Sequence, residues 1–270
     1  MFLKKERIIL ANKHINFKAV AFPREHGSWG FVLEPLILAV IVAYNTSGLF
    51  IALSAFFTFL AHQPIRVILK KGISKELKRK AVWFLGVYFF LSAVFIIRVI
   101  KVQDSTVLIP LTFVVILMMY FLYLEIIGLS RNVYAELIGP VSMNLIAFSI
   151  VLTDGWSLPS AFAFLVVLLN RSVPTTFFIH EKLNLIKHQK AKIMRTHLIS
   201  FVGLIAVIIL AVVSLVPYLS LIAVLILVIR EIFGFTEYTE KLTVKQIGML
   251  EFLYGTIFVI INAVGYLTGL

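Results

Sequence analysis

Long apolar runs separated by short polar connections dominate the chain. Nine of them approach the roughly 20 residues that an α-helix needs to cross bilayer hydrocarbon: 28–47, 49–68, 81–100, 106–124, 134–152, 158–179, 197–216, 219–234 and 248–268. The runs do not alternate apolar with polar positions, as LIAVIILAVVSLVP at 204–217 illustrates. That excludes a transmembrane β-barrel, the other structure that satisfies its backbone in lipid. The pattern predicts an all-α polytopic membrane protein with about nine transmembrane helices. Pro64 interrupts the second run and the eighth is short, which leaves eight or ten as alternative counts. The connections leave no room for a soluble domain, so residues 25–270 read as one transmembrane domain.

Composition removes the soluble alternatives. Of 270 residues, 61% are hydrophobic and 14% charged, against about half and a quarter in an ordinary soluble domain. Residues 1–24 are basic and amphipathic, without the long apolar core or small-residue cleavage site of a secretory signal. They predict a cytoplasmic segment lying on the membrane surface. The absence of cysteine rules out disulfides, thiolate metal sites and cysteine nucleophiles.

The net charge of +12 would suit nucleic acid, but its distribution points to the membrane. With the N-terminus in the cytoplasm, 22 of the 25 lysines and arginines fall in inner segments; Arg98 and Lys101 fall outside and Arg171 lies within a span. Positive residues favour cytoplasmic loops. The expectation is therefore a multi-pass protein of a bacterial or archaeal cell membrane, N-terminus inside and C-terminus outside. Its partners are membrane lipids rather than nucleic acid.

The ionisable residues within and beside the spans gather toward the inner side: Glu34, His62, Arg66, Glu125, Glu136, Arg171, His180, Glu181, Glu231 and Glu251. Asp104 and Asp154 lie in outer loops. A charge at mid-membrane costs about 2.5–3.5 kcal/mol on insertion scales and calls for a partner or a function. Prolines accompany these groups: Pro35 after Glu34, Pro64 after His62, Pro140 near Glu136 and Pro174 near Arg171. Helical proline frees a backbone carbonyl, which lipid does not tolerate unless protein or water covers it. Together these features predict a polar cavity open to the cytoplasm.

Within PREHGSWGF (23–31), Glu25 and His26 form an acid–base or metal-ligand pair, with an interfacial anchor as the plainer reading. His62 and Arg66 stand four apart on one helix face, suited to proton transfer and anion binding respectively, or to snorkelling. Arg171, in LNRSVPTTFFIHEK (169–182), calls for either an anionic ligand or an acid, and Glu34 and Glu136 are the acids at its depth. His180 and Glu181 follow as loop residues. The candidate catalytic groups are Glu25, His26, Glu34 and His62; the candidate substrate-binding groups are Arg66, Arg171, His180 and Glu181. No GxxxxGK[ST], HExxH or GxSxG motif and no Cys/His metal spacing occurs, so no metal site is predicted and no cofactor is identified.

The segment FPREHGSWGFVLEPL (22–36), the His62–Arg66 element and KQIGMLEFLYGTIF (245–258) resemble the YwiC-like family of bacterial membrane proteins. That family carries no secure biochemical role. A more distant resemblance is to the UbiA superfamily of intramembrane prenyltransferases, through nine helices and polar elements at the inner ends of helices 2 and 6. This resemblance implies a UbiA-like bundle, a cytoplasm-facing cavity between those helices and a lipid-soluble isoprenoid, quinone or haem-type substrate. The superfamily's Mg²⁺-binding aspartates have no counterparts at 62–66 or 171–181. A membrane enzyme, a small-molecule carrier and a non-catalytic quinone- or haem-binding or assembly protein are the three function classes that follow.

Overall fold

The computed structural model describes residues 18–23, 26–70, 72–129, 132–236 and 242–270; the side chains of residues 18, 19 and 26–28 fall outside that description. After a single helical turn, Lys18–Ala21, the described chain forms nine long helices. These are α1 (His26–Val42), α2 (Thr46–Leu69), α3 (Lys75–Ile100), α4 (Ser105–Ile126), α5 (Val133–Thr153), α6 (Leu158–Ile186), α7 (Ile193–Val212), α8 (Tyr218–Gly234) and α9 (Val244–Thr268). Every expected span has its helix, and no strand occurs among the described residues. Seven are long and apolar enough to cross a membrane. The other two, α1 and α8, have 17 residues each, about 26 Å at 1.5 Å per residue and the lower limit for a crossing.

Local chemistry sets the helix ends. Asn45, Ser74, Asn132 and Ser157 cap α2, α3, α5 and α6 through their side chains. Thr243 and Gln246 form a reciprocal capping box that starts α9 at Val244. Several helices run further than the apolar runs indicated, α3 and α6 furthest. The basic sequence KELKRK is the opening of α3, and α6 continues to Ile186. His180 and Glu181 are therefore helical rather than loop residues, a correction whose cause is that polar side chains at a helix end do not stop the helix.

Helices α1, α5, α6, α7, α8 and α9 close a ring by successive packing, with α6 also touching α8 and α9 across it. The hairpin α2–α3 and helix α4 are attached outside, through contacts of α2 and α4 with α5 and of α2 with α1. Burial follows this plan. In the most apolar stretches of α5 and α6, 72% of residues are buried, against 11% in α4 and 17% in α7. The exposed side of α4 carries Ile109, Phe113, Ile116 and Tyr120, an apolar face suited to contact with lipid. Successive helices run in opposite directions, so the ends at 26, 69, 75, 126, 133, 186, 193, 234 and 244 share one side. That side is rich in lysine and arginine and is called the basic end below.

Helices α2 and α6 are not among the closely packed helix pairs. Each packs on α5, and the ring is closed by α9 against α1.

Candidate functional site: a buried arginine–glutamate cluster

Arg171 lies in the middle of α6 and is 4% exposed. All five of its N–H donors have acceptors. Nε and Nη2 grip Glu34 of α1 in a two-bond fork, at 2.8 Å to Oε2 and 3.0 Å to Oε1. Nη2 also donates to the Glu251 carbonyl of α9 at 2.9 Å. Nη1 donates to Thr175 Oγ1 at 2.8 Å and to Glu251 Oε2 at 3.2 Å. Thr175 is one helical turn beyond Arg171, on the same face of α6.

A second guanidinium adjoins the first. Arg230 of α8 reaches Glu251 Oε1 at 3.2 Å and donates through Nη2 to Thr175 Oγ1 at 2.8 Å. It lies over the Phe178 ring at 4.6 Å and the Tyr254 ring at 5.8 Å. Its neighbour Glu231 turns to α7, where Ser200 donates to Oε2 and His197 Nδ1 stands 2.8 Å from Oε1. Four ring helices thus deliver two arginines and three carboxylates to one buried region, with His197 of a fifth at its edge. Glycine makes room for it. A Cβ on Gly255, one turn beyond Glu251 on α9, would fall on the Glu34 carboxyl group and close to Arg171 Nη2.

The cluster forms the floor of a pocket of about 140 Å³ between α1, α6 and α9. Phe31, Ile179, Leu183, Val244, Ile247 and Phe252 make its walls apolar, and Glu34, Arg171 and Glu251 line its depth. Leu183 and Val244 belong to the basic end, so the pocket runs from that end inward. A smaller cavity of about 10 Å³, bordered by Asn170, Thr175, Ser200, Arg230 and Glu231, lies between α6, α7 and α8.

The other candidates are distributed around the basic end. His62 and Arg66 share one carboxylate, Glu125 of α4, at 3.1 and 3.0 Å. Arg66 and Arg171 accordingly enter different ion-pair groups, Arg66 with Glu125 and Arg171 with Glu34 and Glu251. Glu136, a partner considered for Arg171, faces His180 at 3.2 Å. Glu181 is 2% exposed and ties the α6–α7 connection, accepting from Lys192 N at 2.8 Å, Asn184 at 3.3 Å and Arg195 at 2.6 Å. Glu25 lies outside the described residues, as does the side chain of His26. Among the described residues, no three His, Asp or Glu side chains converge as a metal site.

In the sequence Arg171 and Glu34 stand out as possible partners, whereas Glu251 is only one of the inner-side ionisable residues and Arg230 only one of the basic residues of the inner segments. The capping box was the available signal for Glu251, since a helix starting at 244 puts residue 251 two turns inside it. Arg230 carried a weaker one: α8 continues to Gly234, so the side chain is a full turn within the helix.

Residues 22–151 match the family described as YwiC-like protein. The match contains the PREHG motif, Glu34 and the His62–Arg66 element; the resemblance noted at 245–258 lies beyond it. No curated protein and no solved structure matches the chain.

Proposed function

For a polytopic membrane protein whose residues 22–151 match the YwiC-like family, we propose that the pocket between α1, α6 and α9 takes a lipid-soluble molecule by its polar head. The observation that carries this reading is the shape of the chemistry. Apolar walls lead to a floor of Glu34, Arg171 and Glu251, so an apolar body and a polar head find matching surroundings along one axis. Basic residues at the pocket's end favour cytoplasmic entry, with the N-terminus inside a cell membrane. This is a one-ended site, which favours a binding protein or an enzyme over a carrier with a midplane site between repeats.

A UbiA-like transferase is the second reading, favoured by the nine helices and the polar pocket at one end. In that case Glu34 or Glu251 would handle protons, and the arginines would take the place of metal in binding a head group.

The test fills the pocket without touching the charges. A Cβ on Gly248, a pocket residue, meets open space. Wild-type protein and Gly248→Phe, purified in mild detergent, are compared by native mass spectrometry and solvent extraction. A small lipophilic molecule bound to the wild type and lost from a well-folded Gly248→Phe is the expected result. Equal occupancy in both would refute the pocket as its site.

A further inference from the structure

Glu251 is the loosely held carboxylate of the buried cluster. Glu34 clasps Arg171 by two bonds of 2.8 and 3.0 Å. Glu251 instead bridges two arginines by single contacts of 3.2 Å, one to Arg171 and one to Arg230. It also lines the pocket beside Arg171, so a pocket-lining carboxylate holds the Nη1 groups of both arginines. A carboxylate between two guanidinium groups occupies the position in which an incoming anion would be bound.

We propose that the pocket ligand carries an anionic head, a carboxylate or a phosphate, which displaces Glu251 from Arg171 and Arg230 while Glu251 takes up a proton. This rests on the pocket reading and names the chemistry of its ligand. The proton follows from the charges present. The groups facing Glu251 are Arg171 and Thr175 from α6, Arg230 from α8 and Glu34 from α1; Tyr254 of α9 stands beside Arg230. Beyond them, Glu231 of α8 meets His197 and Ser200 of α7. Two guanidinium ions already face three carboxylates, with His197 the remaining titratable contact. Among the groups just named, a further negative charge in this desolvated region meets only the two guanidinium ions that Glu251 already bridges. Protonating the displaced Glu251 keeps the sum constant: one anion enters, one proton enters, and no covalent bond changes. Neither arginine can supply that proton, since guanidinium stays charged in proteins.

The experiment adds octanoate, octyl phosphate or octan-1-ol, which share a tail, to purified full-length protein. Binding is followed by calorimetry in two buffers of different ionisation enthalpy. Octanoate or octyl phosphate should bind at least tenfold more tightly than the alcohol, and preference between the two identifies the head. Octanoate binding should carry about one proton and weaken roughly tenfold per unit rise in pH between the titration of Glu251 in the free protein and its higher titration in the complex. Glu251→Gln should retain anion binding and lose the proton uptake. The wild-type pH series serves as the measurement should that variant fail to fold. Equal binding of octanol and the anions would overturn the anionic head and leave the pocket intact. Anion binding with no proton uptake would overturn the exchange. Failure of all three probes to bind, with Gly248→Phe behaving as wild type, would remove the pocket reading itself.

Discussion

Removing the guanidinium of Arg171 leaves Glu34 without its two-bond partner in a region that is 8% exposed. Breaking a buried pair by deleting one member typically costs about 3–5 kcal/mol, because the surviving charge is stranded. Arg171→Gln is therefore expected to lower the unfolding midpoint in detergent strongly, and Arg171→Gln with Glu34→Gln to recover a large part of the loss. Purely additive losses in the two variants would show that the fork contributes no coupling. Arg171→Lys should also be poor, because an ammonium group has three donors and no planar fork, whereas the site uses five. His62, Arg66 and Glu125 are a milder case. The Arg66 side chain is 43% exposed, and exposed pairs contribute about 0–1 kcal/mol. Neutralising Arg66 should leave the unfolding midpoint nearly unchanged.

At the scale of the helix, α9 depends on two short sequences. The Thr243–Gln246 capping box starts it, and Gly255 lets its backbone approach the Glu34–Arg171 fork. Gly255→Ala would put a methyl group on the Glu34 carboxyl, forcing either α9 away from α1 or the fork open. Overpacking of this kind costs about 1–3 kcal/mol. The effect should be largely suppressed when Glu34 is shortened to alanine, which thermal unfolding of the single and double variants would reveal. A Gly255→Ala protein as stable as wild type would mean that α9 is not pressed against α1 here. The extension of α6 has its own device, for Glu181 holds Lys192 and Arg195 across the turn into α7.

Among the described residues, the long helices form a ring of six with three attached outside. The molecule's charges are sorted between a basic end and an opposite end where Asp104 and Asp154 sit at helix termini. Short connections force Gly72 and Lys190 to one side and Gly155 to the other. Reporter fusions should place Gly72 and Lys190 in the cytoplasm and Gly155 outside, as the lysine and arginine bias requires. A cytoplasmic Gly155 would reverse the molecule and move the pocket mouth to the outer surface.

Helix number and type were legible in the residues alone because lipid imposes a stringent local rule. Each crossing needs about 20 apolar residues in a backbone that satisfies itself, and each connection reports its side through lysine and arginine. The same rule made Arg171 conspicuous, and similar depth left Glu34 and Glu136 as its two candidate acids, of which the structure pairs Glu34 with it. Partner choice was different. Glu251 and Arg230 come from helices far along the chain, and they meet Arg171 only because α9 packs on α1 and α8 packs on α6 and α9. In a membrane that packing is decided by shape, small residues and interhelical hydrogen bonds rather than by an apolar stripe. Depth along the membrane is a one-dimensional property written into each run. Position around the ring is set by which surfaces fit, so Arg66 and Arg171, alike in the sequence, end with Glu125 at the rim and with Glu34 and Glu251 in the interior.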